Sequence, residues 1–161
     1  MMNTLEKQVD ALMRLCTATD DDVRKEAREE IRFLLPGRKA APANDPEAMI
    51  RQILLELGAP DHLLGHAYII QAILLVVEDR TYINSITFGL YPQLAAQFNT
   101  TAARVERAMR HLIEVTWSRG DMDILNRYFG NTVSADKGKP TNGEFIARLA
   151  NVVKQRMKEG A

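Results

Sequence analysis

The chain has 161 residues, 46% hydrophobic and 26% charged, with 21 basic and 21 acidic side chains. That length suits one sizeable domain with a small appendage, and the composition excludes a disordered or fibrous chain. No apolar run approaches the roughly 20 residues that span a bilayer, and no basic start leads into an apolar core, so neither a membrane span nor a signal peptide is expected.

Nearly every segment reads as helix. Leu5, Val9, Leu12 and Cys16 recur at helical spacing. Thr19 offers an N-cap, and Asp20, Asp21 and Asp22 favour the positive end of the next helix. Val23, Ala27, Ile31 and Leu34 give that helix an apolar stripe, and "PGRKAAPANDP" stops it with three prolines and a glycine. Residues 1–45 are therefore predicted to form a helical hairpin and linker, set apart from a helical domain over 46–161. "EAMIRQILLELGAP" predicts a helix ending at Gly58. A longer helix is predicted from Pro60 and Asp61 to about Asp79; its "YIIQAILLVV" is apolar nearly all round and should be buried. "ITFGLYPQLAAQF" and "AARVERAMRHLIEVTW" predict two helices joined by "NTT", and "DMDILNRYF" a short one. "GNTVSADKGKP" reads as a loop and "PTNGEFIARLANVVKQRM" as the last helix. Thr141 and Glu144 are spaced as a capping box, and Phe145, Leu149, Val152 and Arg156 lie along one flank. No segment alternates with period two. The expected fold class is all-α.

Cys16 is the single cysteine, which leaves no internal disulfide and fits a reducing cytoplasm. Charge is not spread evenly. Residues 1–45 hold 8 basic and 9 acidic side chains, residues 46–80 hold 2 and 5, and residues 81–161 hold 11 and 7. Blocks of opposite sign point to a polyanion facing the last part, although an excess this size also suits an ordinary solvated surface.

The basic excess is densest in "NTTAARVERAMRH". On a helix from Ala102 to Trp117, Val105, Ala108, Met109, Leu112 and Thr116 fall on one side, with Ile113 and Val115 at its edges. Arg104, Arg107 and His111 share the opposite side with Arg110 and Glu114, and Glu106 lies at its flank. The small residues of "LAAQF", the short turn and this helix make a helix-turn-helix arrangement, whose second helix enters the major groove. Arginine donates twice to guanine, and a glutamate among arginines accepts from the cytosine amino group, which a phosphate-only surface does not need. Arg104, Glu106 and Arg107 are thus expected to read bases. Thr100, Thr101, Arg110, His111 and Lys139 are expected to position phosphates. A solvated face laced with Arg–Glu pairs is the competing reading.

"YPQLAAQFNTTAARVERAMRHLIEVTWSRG" and "KPTNGEFIA", with "GAPDHLLGHAYI" upstream, resemble the C-terminal DNA-binding effector domain of the master sporulation response regulators of endospore-forming bacteria. The resemblance covers roughly residues 49–157. It implies an all-helical domain that binds short boxes in double-stranded DNA as a tandem dimer and regulates transcription, in part through RNA polymerase sigma factor. The family's recognition positions match Arg104, Glu106, Arg107, Arg110 and His111. Its sigma-contacting patch falls near Gly120, Met122, Ile124 and Phe129, with Ile124 standing where a small polar residue is expected. The family joins this effector to a phosphorylatable receiver. Residues 1–45 read as helices too short for one, and Asp20, Asp21 and Asp22 follow no apolar strand, so no aspartyl phosphorylation is expected. The hairpin could dimerise, pack on the effector or bind a partner.

His62 and His66 stand four apart, the spacing of two metal ligands, but with no adjacent glutamate a capping or packing role fits better and no metal is expected. No phosphate-binding glycine loop, nucleophile elbow or Cys–His–acid set is present, so neither an enzyme nor a cofactor is expected. Trp117 follows the recognition face by more than a turn and reads as packing. Lys137 and Lys139 read equally well as a phosphate clamp before a helix N-terminus or as an exposed loop. The sum is a cytoplasmic, nucleoid-associated DNA-binding regulator, homodimeric at least on DNA. Two alternatives stand beside it. One is a protein-interaction antagonist or adaptor that binds a regulator or sigma factor; the other, RNA binding, lacks an aromatic sheet platform.

Overall fold

The computed structural model describes residues 4–17, 22–23, 25, 27, 44–130 and 138–160. The chain divides into two compact units, residues 1–42 and 43–161. The described residues contain seven α-helices, a 3₁₀ segment and a π turn, with no strand among them, so the fold is all-α.

In the first unit, α1 spans Thr4–Thr17. An Asp10–Arg14 pair at 2.9 Å lies along it, and the Thr17 hydroxyl donates to the Met13 carbonyl at 2.8 Å. Val9 and Val23, both predicted on apolar stripes, are exposed, as is Met13, whereas Ala11 and the predicted stripe residue Ala27 are buried. The side chains of Leu5, Leu12 and Cys16 lie outside the described residues. So do Thr19, Asp20 and Asp21, most of the predicted second helix and most of the linker.

In the second unit, α2 is Pro46–Glu56. The Asp45 carboxylate accepts from the Glu47 amide at 3.0 Å, and Pro46 opens the helix where no donor is needed. Gly58, at φ +74°, turns the chain out of it. Helix α3 is Leu64–Glu78 and starts later than Pro60. Its first turn has no side-chain cap, so no capping residue marks the start in the sequence. Its Ile69, Ala72, Ile73 and Val76 are buried, as the apolar run predicts.

A 3₁₀ segment at Arg80–Ser85, absent from the sequence reading, follows. Asp79 begins it by accepting from the Thr81 hydroxyl at 2.7 Å and amide at 2.9 Å, and these bonds hold its carboxyl below the usual carboxylate range. The helix predicted over "ITFGLYPQLAAQF" is in fact two elements, a π turn at Ile86–Leu90 and α4 at Tyr91–Gln97. Pro92 has no N–H to return to the Phe88 carbonyl, and the Tyr91 amide reaches back five residues to Ile86 instead.

Helix α5 is Ala102–Arg119, α6 is Met122–Phe129 and α7 is Asn142–Glu159. The Asp121 carboxylate caps α6. Thr141 and Glu144 form the predicted capping box of α7. The core joins Ile50, Ile53 and Leu54 of α2 to α3, to Val105, Met109, Leu112 and Ile113 of α5, and to α7. On α7 the buried face runs through Phe145, Ile146, Leu149 and Val153, with Val152 at its edge. Trp117 packs edge-on to Phe129 and Phe145 at 5.1 and 6.2 Å, and those two rings stack at 5.2 Å.

Candidate nucleic-acid interface

The α4–turn–α5 unit is closed by Asn99, at φ +51°, a left-handed conformation that asparagine tolerates. The Thr100 amide then returns to the Ala95 carbonyl at 2.9 Å. The Thr101 hydroxyl accepts from the Arg104 amide at 3.3 Å, so it is the N-cap of α5. Thr100 is half-buried beside it.

From that start, 3.6 residues per turn sort the side chains as the sequence predicts. Val105, Met109, Leu112, Ile113 and Thr116 are buried, while Arg104, Arg107, Arg110, His111 and Glu114 are exposed. Ala108 and Glu106 are half-buried. Thr116 returns its hydroxyl to the Leu112 carbonyl at 2.7 Å, so this buried polar group stays satisfied.

Two ion pairs lie on the outer face. Arg110 bonds Glu106 one turn before it, and Lys139 bonds Glu114 at 2.9 Å. The Lys139 ammonium holds the Glu114 carboxyl below its usual range, helped by the nearby charges of His111 and Arg110. Exposed pairs of this kind are worth about 0–1 kcal/mol, so they open readily. A carboxylate offers about four acceptor sites, so Glu106 keeps acceptors free while Arg110 holds it. Lys137 lies outside the described residues.

Three features around α5 were missed in the sequence. Gly65 lets α3 cross α5 at close range: a Cβ there would stand 2.2 Å from the Ala108 carbonyl oxygen. Its lone position in an apolar helix was an available signal. Asn142, buried at the start of α7, donates to the Tyr91 hydroxyl at 3.0 Å and to the Glu106 carbonyl at 3.1 Å. It thereby fastens α4, α5 and α7 together, and burial pushes the Tyr91 phenol up. Third, Leu64 and Tyr68 of α3 border a groove of about 640 Å³ with Thr100, Arg104, Arg107, Ala108 and His111. On the opposite flank a second groove of about 580 Å³ runs between Glu106, Arg110 and Glu114 on one side and Lys139, Thr141 and Asn142 on the other.

The positions expected to meet sigma factor have mixed placements. Met122 is 54% exposed, and Ile124 is half-buried against the core. Phe129 is only 2% exposed and belongs to the aromatic core, so its side chain offers no contact surface. Gly120 packs tightly, since a Cβ would stand 2.8 Å from the Leu57 carbonyl oxygen. Helix α6 is anchored by a polar chain: Arg156 donates to the Tyr128 hydroxyl at 2.8 Å, and that hydroxyl donates to Glu56. Arg148 donates to the Tyr128 carbonyl at 2.5 Å.

His62 is exposed and His66 is buried, with the imidazole of His66 pushed down in pKa by burial and by Arg51. Among the described residues no group of three or more His, Cys, Asp or Glu side chains is placed to hold a metal. No helix among them is long and apolar enough to cross a membrane. Residues 50–153, more than half of the chain, match the family model described as Sporulation initiation factor Spo0A C terminal.

Proposed function

The chain belongs to the sporulation initiation factor Spo0A C-terminal family, whose members are DNA-binding transcription-regulatory domains and not enzymes, and on that premise we propose that α5 reads a short DNA box through the major groove. Arg104 and Arg107 donate to guanine edges, and Glu106 accepts from a cytosine amino group. Thr100, Thr101, Arg110 and His111 hold phosphates and set the register. Lys139 exchanges Glu114 for a phosphate when DNA arrives. Two copies bind tandem boxes, and Met122 and Ile124 present the surface that meets sigma factor.

The observation that carries this reading is the division of α5. Its apolar stripe is buried, while Arg104, Arg107, Arg110 and His111 stand outward within the first ten residues after a capped N-terminus. The adaptor reading has its own support. Arg110 and Lys139 are already paired with Glu106 and Glu114, which reduces the charge left for a duplex.

Fluorescence anisotropy separates the two. A duplex carrying the family's box is compared with a scrambled duplex at several salt concentrations, with Glu106→Ala and Arg107→Ala as controls. Base reading predicts preference for the box and its loss in Arg107→Ala. Equal weak binding to both duplexes that vanishes with salt would leave only phosphate attraction and favour the adaptor.

A further inference from the structure

Leu64 is 72% exposed at the first position of α3, although most of that helix is core. An isolated surface leucine needs no explanation. This one lies on the rim of the groove that also holds Thr100, Arg104, Arg107 and His111, the side chains aimed at DNA. The placement follows from the helix crossing. At Gly65 the two backbones come so close that a Cβ would collide with the Ala108 carbonyl, and the preceding residue is thereby carried up beside the outer face of α5. The groove thus joins one apolar wall, Leu64 with Tyr68, to a wall of arginine forks that also includes the Glu114 carboxylate, paired with Lys139. A ligand that fills it presents anionic and hydrogen-bonding atoms on one side and an exposed methyl on the other. Within the major groove the thymine C5-methyl is the apolar group a base pair displays.

Resting on the base-reading role of α5, we propose that Leu64 is a specificity-determining residue that packs on a thymine methyl next to the bases read by Arg104 and Arg107. A second element would then add to the sequence preference, and the preferred site would extend beyond the pairs that α5 touches.

The test uses the full chain and a set of box duplexes in which each thymine in turn is replaced by deoxyuridine, which removes the methyl and keeps every hydrogen-bonding edge. Burying one methyl-sized group corresponds to about a fourfold change in affinity. The wild type is expected to lose about that factor at one thymine and little at the others. Leu64→Ala is expected to bind the thymine duplex about fourfold more weakly and to stop distinguishing thymine from uracil at that position. Because Leu64 is largely exposed, its truncation leaves the core intact, and an unchanged melting temperature verifies this. Wild-type indifference to every replacement overturns the proposal, as does full uracil sensitivity in Leu64→Ala. Arg107→Ala keeps the two readings apart. If it loses box preference while uracil is tolerated everywhere, base reading by α5 stands and the Leu64 contact falls. If it keeps full preference, base reading by Arg107 falls instead.

Discussion

Polar side chains are used in opposite ways at two places in the second unit. On the outer face of α5 they stand in water as short pairs, Glu106 with Arg110 and Glu114 with Lys139. Where α2, α6 and α7 meet, they form a chain in which Arg156 donates to Tyr128 and Tyr128 donates to Glu56, with the Arg156 guanidinium also 5.9 Å over the Tyr128 ring. The first arrangement costs little to open and leaves its charges available. The second satisfies groups that packing has taken partly out of water, so losing a member leaves a partner stranded. Binding is expected to depend on the first region and stability on the second.

The most damaging way to break this division is at Gly65, where both properties meet. Gly65→Val drives a branched side chain into the Ala108 carbonyl. Overpacking of that kind is expected to cost about 3 kcal/mol in thermal unfolding and to abolish box preference by tilting α5. Retained preference would show that the crossing does not aim the helix. Next, Arg107→Ala is expected to weaken box binding by about 1–3 kcal/mol while shifting stability by less than about 0.5 kcal/mol. A large fall in melting temperature would mean that the outer face is structural after all.

Tyr128→Phe is expected to do the reverse, costing about 1 kcal/mol of stability with DNA affinity unchanged. Its pH dependence is specific. The Tyr128 hydroxyl, aided by Gln52 and the charges of Arg156 and Arg127, holds the folded-state Glu56 pKa below its ordinary 4.5. A depressed carboxyl contributes stability that is present above the unfolded value and is lost as pH falls through the folded one. The gap between wild type and Tyr128→Phe should therefore be full at neutral pH and narrow below about pH 4.5, as followed by denaturant titration. A gap that stayed constant through acid would place the effect outside the Glu56 bond. The smallest expected effect is that of Glu114→Gln, which releases Lys139. Stability should move by a few tenths of a kcal/mol, and binding to a scrambled duplex should strengthen about twofold with a steeper salt dependence.

What was legible in the sequence was what local periodicity encodes. The inner and outer faces of α5, the Thr141–Glu144 capping box and the apolar run of α3 needed only spacing and residue type. The start of α3 was not legible because no side chain caps it, and the π turn was hidden because Pro92 acts on a carbonyl four residues earlier. Phe129 was placed in a surface patch by resemblance, yet its partners Trp117 and Phe145 lie 12 and 16 positions away, and only the fold shows the three rings packed together. The same holds for Lys139 with Glu114, 25 positions apart, and for Tyr128 with Glu56, 72 apart. Asn142 carried no local signal because both of its partners, Tyr91 and the Glu106 carbonyl, belong to other helices.

The Asn142 bond to the Glu106 carbonyl has a consequence for how such a domain changes its preference over time. A helix advances about 100° per residue, so turning α5 by one position would replace Arg104, Arg107 and His111 on the outer face with Val105, Ala108 and Leu112. Asn142, the Thr101 cap and the buried stripe together lock the helix against that rotation, much as a key is held in a lock. With the backbone fixed, the outward side chains become exchangeable parts. New DNA preferences are open to single substitutions at those positions, and a change in the tilt or roll of the helix would first have to undo the lock.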